Sequence, residues 1–154
     1  MAEPARQELA ADATVPLRSE RFGNYDVPAN RVLHFAAGLI GFPAARRFAL
    51  LDSSRPESPF RCLVCLDLPE LGFVVCDPLR LWPDYAADVP ALPEARPEDV
   101  AVLAIVTLPR DPREMTANLL APLVLDSRSR AGAQVVLDTG RYGTRHPLLA
   151  PAAE

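Results

Sequence analysis

Three cysteines, two histidines and a scatter of carboxylates are the residues of this chain with chemistry beyond packing. Cys62 and Cys65 have the C-x-x-C spacing of a metal or redox pair. They fall, however, in Phe60-Arg61-Cys62-Leu63-Val64-Cys65-Leu66, which reads as a strand. On a strand, residues three apart point to opposite faces and stand about 10 Å apart, so the two thiols cannot meet one metal. Cys76 stands alone and no second pair completes a tetrahedral site, so buried free thiols in a reducing compartment are the better account. His34 and His146 are the only histidines, and no Gly-x-Ser-x-Gly elbow accompanies them. The carboxylate pairs Asp84/Asp88 and Glu98/Asp99 lie in proline-rich acidic loops, where nothing buries one partner to raise its pKa. Gly38 and Gly41 flank apolar residues with no Lys-Ser/Thr after them, which suggests a tight turn or close backbone approach, not a phosphate loop. These residues point away from catalysis, a metal or a cofactor, and toward a binding or scaffold protein.

The elements that must position them follow from the apolar runs. Ala101–Leu108 is short, partly β-branched and stopped by Pro109, a buried strand. The loop Pro109–Glu114 turns the chain, and Met115–Leu125 returns beside the first run. Pro122 lies inside that second run, and a proline has no N–H for the ladder. The segment is therefore expected at a sheet edge or around a bulge, with a groove open to a peptide. Asn118 is expected to hydrogen-bond the bulge or turn. Further strands are expected at Tyr25–Val27, Val32–Phe35, Phe48–Leu51, Phe60–Leu66, Gly72–Cys76 and Ala133–Leu137, with Asp67–Glu70 turning one hairpin. Seventeen prolines against seven glycines enforce many loop ends and leave room for short helical turns only. The expected fold is mainly β, a small antiparallel β-barrel or roll in a single domain over residues 21–148. Residues 1–20 are expected as a flexible N-terminal tail and 149–154 as a C-terminal tail.

Composition narrows the class further. The chain is 49% hydrophobic and 23% charged, a folded globule, and no apolar run reaches the about 18 residues a membrane helix needs. Its N-terminus carries Glu3, Glu8 and Asp12 in place of a basic, then apolar, secretion signal, so a cytoplasmic location is expected. All sixteen basic residues are arginine, and the net charge of −4 argues against a general nucleic-acid binder. Eight acidic residues and two arginines between Asp67 and Asp99 make a local net of −6, a face that would repel RNA and attract a basic protein.

Several stretches, in order and spacing over residues 21–148, resemble the flagellar assembly factor family FliW. They are Phe22-Gly23, Gly38-Leu39-Ile40-Gly41-Phe42, Phe48-x-Leu50-Leu51, Leu71-x-Phe73-Val74-Val75-x-Asp77-Pro78 and Pro83-Asp84-Tyr85. The most specific are Val106-Thr107-x-Pro109, Met115-Thr116-Ala117-Asn118-Leu119-Leu120-Ala121-Pro122 and Tyr142-x-Thr144-Arg145-His146-Pro147-Leu148. The resemblance implies a non-enzymatic protein without a cofactor, monomeric when free. It would bind newly made flagellin before export and, once freed, capture the translational regulator CsrA, without direct contact with nucleic acid or membrane. One departure is Val64, where the family pattern leads us to expect a polar residue, usually glutamine.

Two interaction surfaces are expected on this basis. An apolar groove lined by Phe42, Leu119 and Leu123 would take a flagellin segment, with Asn118, Arg145 and His146 as further partner contacts. An acidic face of Asp84, Asp88, Glu94 and Glu98 would exclude RNA from captured CsrA. The rival reading is a small β-barrel that binds a ligand or hydrolyses a substrate.

Overall fold

The structure, a computed structural model, describes residues 13–52, 57–90 and 92–148. Its strands are β1 (Thr14–Ser19), β2 (Gly23–Pro28), β3 (Leu33–Phe35), β4 (Arg47–Asp52), β5 (Phe60–Cys65), β6 (Gly72–Cys76), β7 (Val100–Thr107), β8 (Thr116–Ala117), β9 (Leu123–Asp126), β10 (Ala131–Gln134) and β11 (His146–Pro147). One turn of α-helix, α1 (Pro78–Leu81), is the longest α-helical segment described. The turns Pro83–Asp88, Pro97–Asp99 and Pro112–Glu114 are 3-10. Each of these four turns carries proline at its start, where the missing N–H has no partner to lose. Asp77 and Asp111 accept from Leu79 N and Arg113 N at 3.0 Å, closing two of them as N-caps.

Seven strands close on themselves in the order β7-β6-β5-β4-β3-β10-β9, with β9 returning to β7. An odd number of strands cannot alternate direction all the way round. One neighbouring pair must run parallel, and here it is β3 with β10. The remaining six pairings are antiparallel, as expected for the class. The interior is filled by Leu33, Phe35, Phe48, Leu63, Cys65, Val75, Leu103, Leu123 and Leu125. Gly132 on β10 is required by that packing: a Cβ there would lie 2.7 Å from both Leu125 Cδ2 and Phe35 Cζ.

Both outer faces of the wall are covered as well. The β1–β2 hairpin lays Leu17, Val27 and the following Val32 against Ala49 on β4, Val64 on β5 and Leu66 just beyond it. The α1 turn and the segments after it lay Tyr85, Leu119 and Leu137 against Val102, Ala104 and Val106 of β7. A strand buried on both sides reads as an unbroken apolar run, which is what Val100–Val106 is. Val64 is fully buried beneath the hairpin, so an apolar residue suits it.

The folded chain begins earlier than expected. Thr14–Ser19 is a strand, and Leu17 is 1% exposed, so a tail reaching residue 20 is corrected to a strand from Thr14. Pro16 and the charges around it masked a segment whose burial depends on pairing with β2. Residues 1–12 and 149–154 lie outside the described residues.

The Met115–Leu125 run is a strand with an interruption. Between the pairs Ala117/Val106 and Leu123/Leu103, β7 advances three residues while its partner advances six. The three extra residues form a bulge at Asn118–Pro122. Asn118 N donates to Ile105 O at 2.8 Å and its Oδ1 accepts from Ala121 N at 3.0 Å, the turn role expected of it. The groove expected beside Pro122 is absent: Pro122 is among the fully buried residues, and its carbonyl accepts from Val135 N at 3.0 Å.

Candidate interaction surface

The loop after β3 has the form its glycines predicted. Leu39 N donates to Phe42 O at 3.1 Å and Phe42 N to Leu39 O at 2.8 Å, a two-residue reversal at Ile40-Gly41. Gly38 (φ 70°) and Gly41 (φ 86°) take left-handed conformations open to glycine at little cost. A Cβ on Gly38 would lie 2.5 Å from the carbonyl oxygen of Pro43. Between them the side chains part company. Leu39 turns into the barrel, whereas Ile40 (60% exposed) and Phe42 (39%) face outward.

The loop is braced rather than loose. Gln134 Oε1 accepts from Ile40 N at 2.8 Å while its Nε2 donates to Ala121 O at 3.1 Å, tying the loop to the Asn118–Pro122 bulge. The Phe42 ring packs edge-to-face on Phe73, centroids 5.8 Å apart. Val136, two residues beyond Gln134, is 59% exposed. Ile40 and Phe42, held outward on a backbone tied through Gln134, have the character of an anchor for an apolar partner.

The other residues expected on a flagellin groove are not on it. Leu119 and Leu123 are 0% exposed. Leu123 pairs with Leu103 and points into the barrel, and Leu119 packs with Tyr85 and Leu137. The expected Phe42–Leu119–Leu123 groove is therefore corrected. Barrel closure puts Leu123 inside, the layer of Tyr85 and Leu137 covers Leu119 on the outer face of β7, and an aspartate at either position would bury a charge. Arg145 and His146 belong to another element, at the β8–β11 pairing. There Arg145 is exposed and His146 packs edge-to-face on Trp82 at 5.1 Å.

The carboxylates expected on an acidic face differ in exposure and pairing. Asp84 and Glu94 are exposed. Asp88 accepts from Arg141 and from the Tyr142 hydroxyl (2.6 Å), and Glu98 lies 3.4 Å from Arg96 Nε. Arginines from inside and outside the acidic stretch thus offset part of its field.

Cys62 and Cys65 occupy opposite faces of β5, as expected: Cys65 lies inside the barrel and Cys62 packs against the layer under the hairpin. Cys62 is not fully buried, which corrects the expectation of three buried thiols. Burial, with the Asp77 charge adding to it, pushes the Cys76 thiol up to about 11. Among the described residues no group of three or more His, Cys, Asp or Glu is placed to hold a metal ion.

Sequence reasoning missed Ile40, Val136 and the Gln134 brace. The available signal for Ile40 was an apolar residue at a turn tip beside a glycine. Nothing local marks Gln134, which is 94 residues away from its partner in the chain.

Residues 16–148 match the family model described as FliW protein. The chain is 35% identical over 143 residues to the flagellar assembly factor FliW of Treponema pallidum (strain Nichols), covering 90% of this chain and 94% of that one. It is 37% identical over 124 residues to that of Symbiobacterium thermophilum (77% and 90% covered). A crystal structure of the flagellar assembly factor FliW superposes with a TM-score of 0.79 at 30% identity, covering 90% of this chain and 99% of that one.

Proposed function

The chain belongs to the FliW family, which gives it a role in flagellar assembly, and from that premise we propose that it binds flagellin before export and, once freed, sequesters CsrA. The observation that carries this reading is the outward-facing apolar pair Ile40 and Phe42 on a braced loop. A closed barrel offers no edge within its wall for strand addition, so the fitting partner segment is an amphipathic helix that lays its apolar face on these side chains. The relatives are named as assembly factors, and in that role the protein works by binding rather than by catalysis.

The CsrA half of the proposal rests on Asp84 and Glu94, exposed carboxylates in the acidic stretch that would meet a basic RNA-binding protein and disfavour its RNA. No helix among the described residues is long and apolar enough to cross a membrane, and a cytoplasmic monomer fits both partners. Arg145 and His146 remain candidate contacts beside Trp82.

Titration calorimetry against the cognate flagellin tests the reading, followed by competition with CsrA. Phe42→Asp and Ile40→Asp should each weaken flagellin binding by about tenfold or more while leaving the thermal midpoint near its original value. Unchanged affinity in both folded variants would remove this surface from consideration. Flagellin binding indifferent to CsrA would leave a chaperone without the regulatory exchange.

A further inference from the structure

We propose that the opposite mouth of the barrel is a binding site for a small organic anion: a phosphate or carboxylate head carried on an apolar ring or short chain. The site follows from strand alternation. On β4, β5 and β9, and at the start of β3, an inward-facing leucine (Leu50, Leu63, Leu125 and Leu33) is followed two residues outward by Asp52, Arg61, Ser127 and Arg31. Residues two apart on a strand share a face, so the inward-facing column ends in a polar layer instead of another apolar one. On β7 the corresponding residue is Ala101, whose small side chain leaves the centre open. The result is a cavity of about 300 Å³, floored by Leu33, Leu50, Leu103 and Leu125 and rimmed by Arg31, Arg61 and Arg130.

Three guanidiniums against one carboxylate make this mouth cationic on a chain whose net charge is −4. None of the ion pairs among the described residues involves Arg31, Arg61, Arg130 or Asp52, although Asp52 and Arg61 face each other across the β4–β5 ladder. The backbone of Arg130 is fixed in place. It has φ 68°, the left-handed region, its N–H donates to Asp126 O at 2.8 Å, and its carbonyl accepts from His34 N at 2.8 Å. Asp126 in turn accepts from Arg128 N at 2.9 Å, so the turn that presents Arg130 is itself held.

Ligand chemistry follows from these parts. Guanidiniums that form no ion pair among the described residues present planar forks that match the oxygens of a phosphate or carboxylate. A leucine floor rejects a bare hydrated ion and accepts apolar carbon. A cavity of roughly 150 Å³ holds benzene, so about twice that volume takes one ring with its charged head.

The test is calorimetry of the full chain at neutral pH and low salt with three probes: phenyl phosphate, inorganic phosphate and benzyl alcohol. Phenyl phosphate should bind saturably and about tenfold or more tighter than either fragment. The double variant Arg61→Gln/Arg130→Gln, both positions on the solvent-facing rim, should weaken it by about tenfold or more without lowering the thermal midpoint. Amide shifts on binding should concentrate at residues 31–33, 50–52, 101–103 and 125–130. Non-saturable heat, affinity equal to that of benzyl alcohol, or binding indifferent to the two arginines would each overturn the assignment. Should the double variant unfold, the amide shift map of the unaltered chain decides: shifts elsewhere overturn the site, and shifts at the mouth uphold it.

Discussion

The Tyr85 hydroxyl donates to the carbonyl of Leu119 at 2.5 Å, joining the 3-10 turn Pro83–Asp88 to the bulge on the far side of β7. Both residues are buried, and neighbouring backbone groups of the bulge are also answered. Leu119 N and Leu120 N donate to Gly143 O at 3.1 Å, and Leu137 N donates to Leu120 O at 2.7 Å. Two segments that carry the family resemblance, Pro83-Asp84-Tyr85 and Met115–Pro122, are thus one structural joint. Burial, with the nearby Tyr142 and Asp88 adding to it, pushes the Tyr85 hydroxyl well above its ordinary range, so it stays a neutral donor.

Tyr85→Phe keeps the ring packed on Tyr142, centroids 4.8 Å apart, and removes only the donor. It leaves a buried carbonyl unpaired, which costs about 1–3 kcal/mol. Urea unfolding should show a lower midpoint with an unchanged slope. A midpoint equal to that of the unaltered chain would mean that water reaches Leu119 O.

What was legible in the sequence, and what was not, divides by the range of the interactions. β7 was legible because most of both its faces is buried, so Val100–Val106 is an unbroken apolar run, and Pro109 follows its end. The Asn118–Pro122 bulge was legible because proline cannot serve the ladder and Asn118 caps its own neighbour. Leu119 and Leu123 were misplaced because an apolar run says that side chains leave water without saying where they go. Only closure of β9 on β7 and β10 puts Leu123 inside, and only the packing of Tyr85 and Leu137 on the outer face of β7 covers Leu119. β1 was missed for the same reason, since Leu17 is buried through pairing with β2 and packing on β4 and β5. The arginine rim gathers residues about a hundred positions apart, a pattern that no window of sequence displays.

The β5–β6 turn should give the fold an acid-sensitive component. Asp67 accepts from Arg46 N (3.2 Å), Arg47 N (2.9 Å) and Arg47 Nε (3.0 Å) at the start of β4. Partial burial opposes its ionisation, but these bonds outweigh burial and hold the carboxyl below its ordinary value. Glu70 accepts from Glu20 N, Arg21 N and Ser19 Oγ, which lowers its pKa in the same direction. A depressed folded-state pKa means that the folded state binds the proton more weakly than the unfolded chain. Its stabilisation is then complete above an unfolded value of about 4 and is lost as pH falls through and below it. Thermal midpoints should therefore fall between about pH 5 and pH 3, and the fall should be shallower in Asp67→Asn. An equal slope in the variant would assign the acid sensitivity to other carboxylates.

The glycines of the Phe42 loop separate fold from function. Gly38 combines φ 70° with carbonyl oxygens of Pro43 and Phe42 at 2.5 and 2.6 Å from any added Cβ. Backbone atoms cannot rotate away, so Gly38→Ala must displace the very segment that presents Phe42. Gly41 has φ 86° but nothing within 4 Å of its Cβ position, so Gly41→Ala meets conformational strain alone, about 1–2 kcal/mol. Gly38→Ala should lower the thermal midpoint more than Gly41→Ala and weaken flagellin binding beyond what its stability loss explains. Gly41→Ala, folded and with Phe42 still braced by Phe73, should keep most of its affinity. If both alanine variants bind flagellin alike in the folded state, the position of Phe42 is not what flagellin reads, and the contact must move to Val136 or to the Arg145–His146 region beside Trp82.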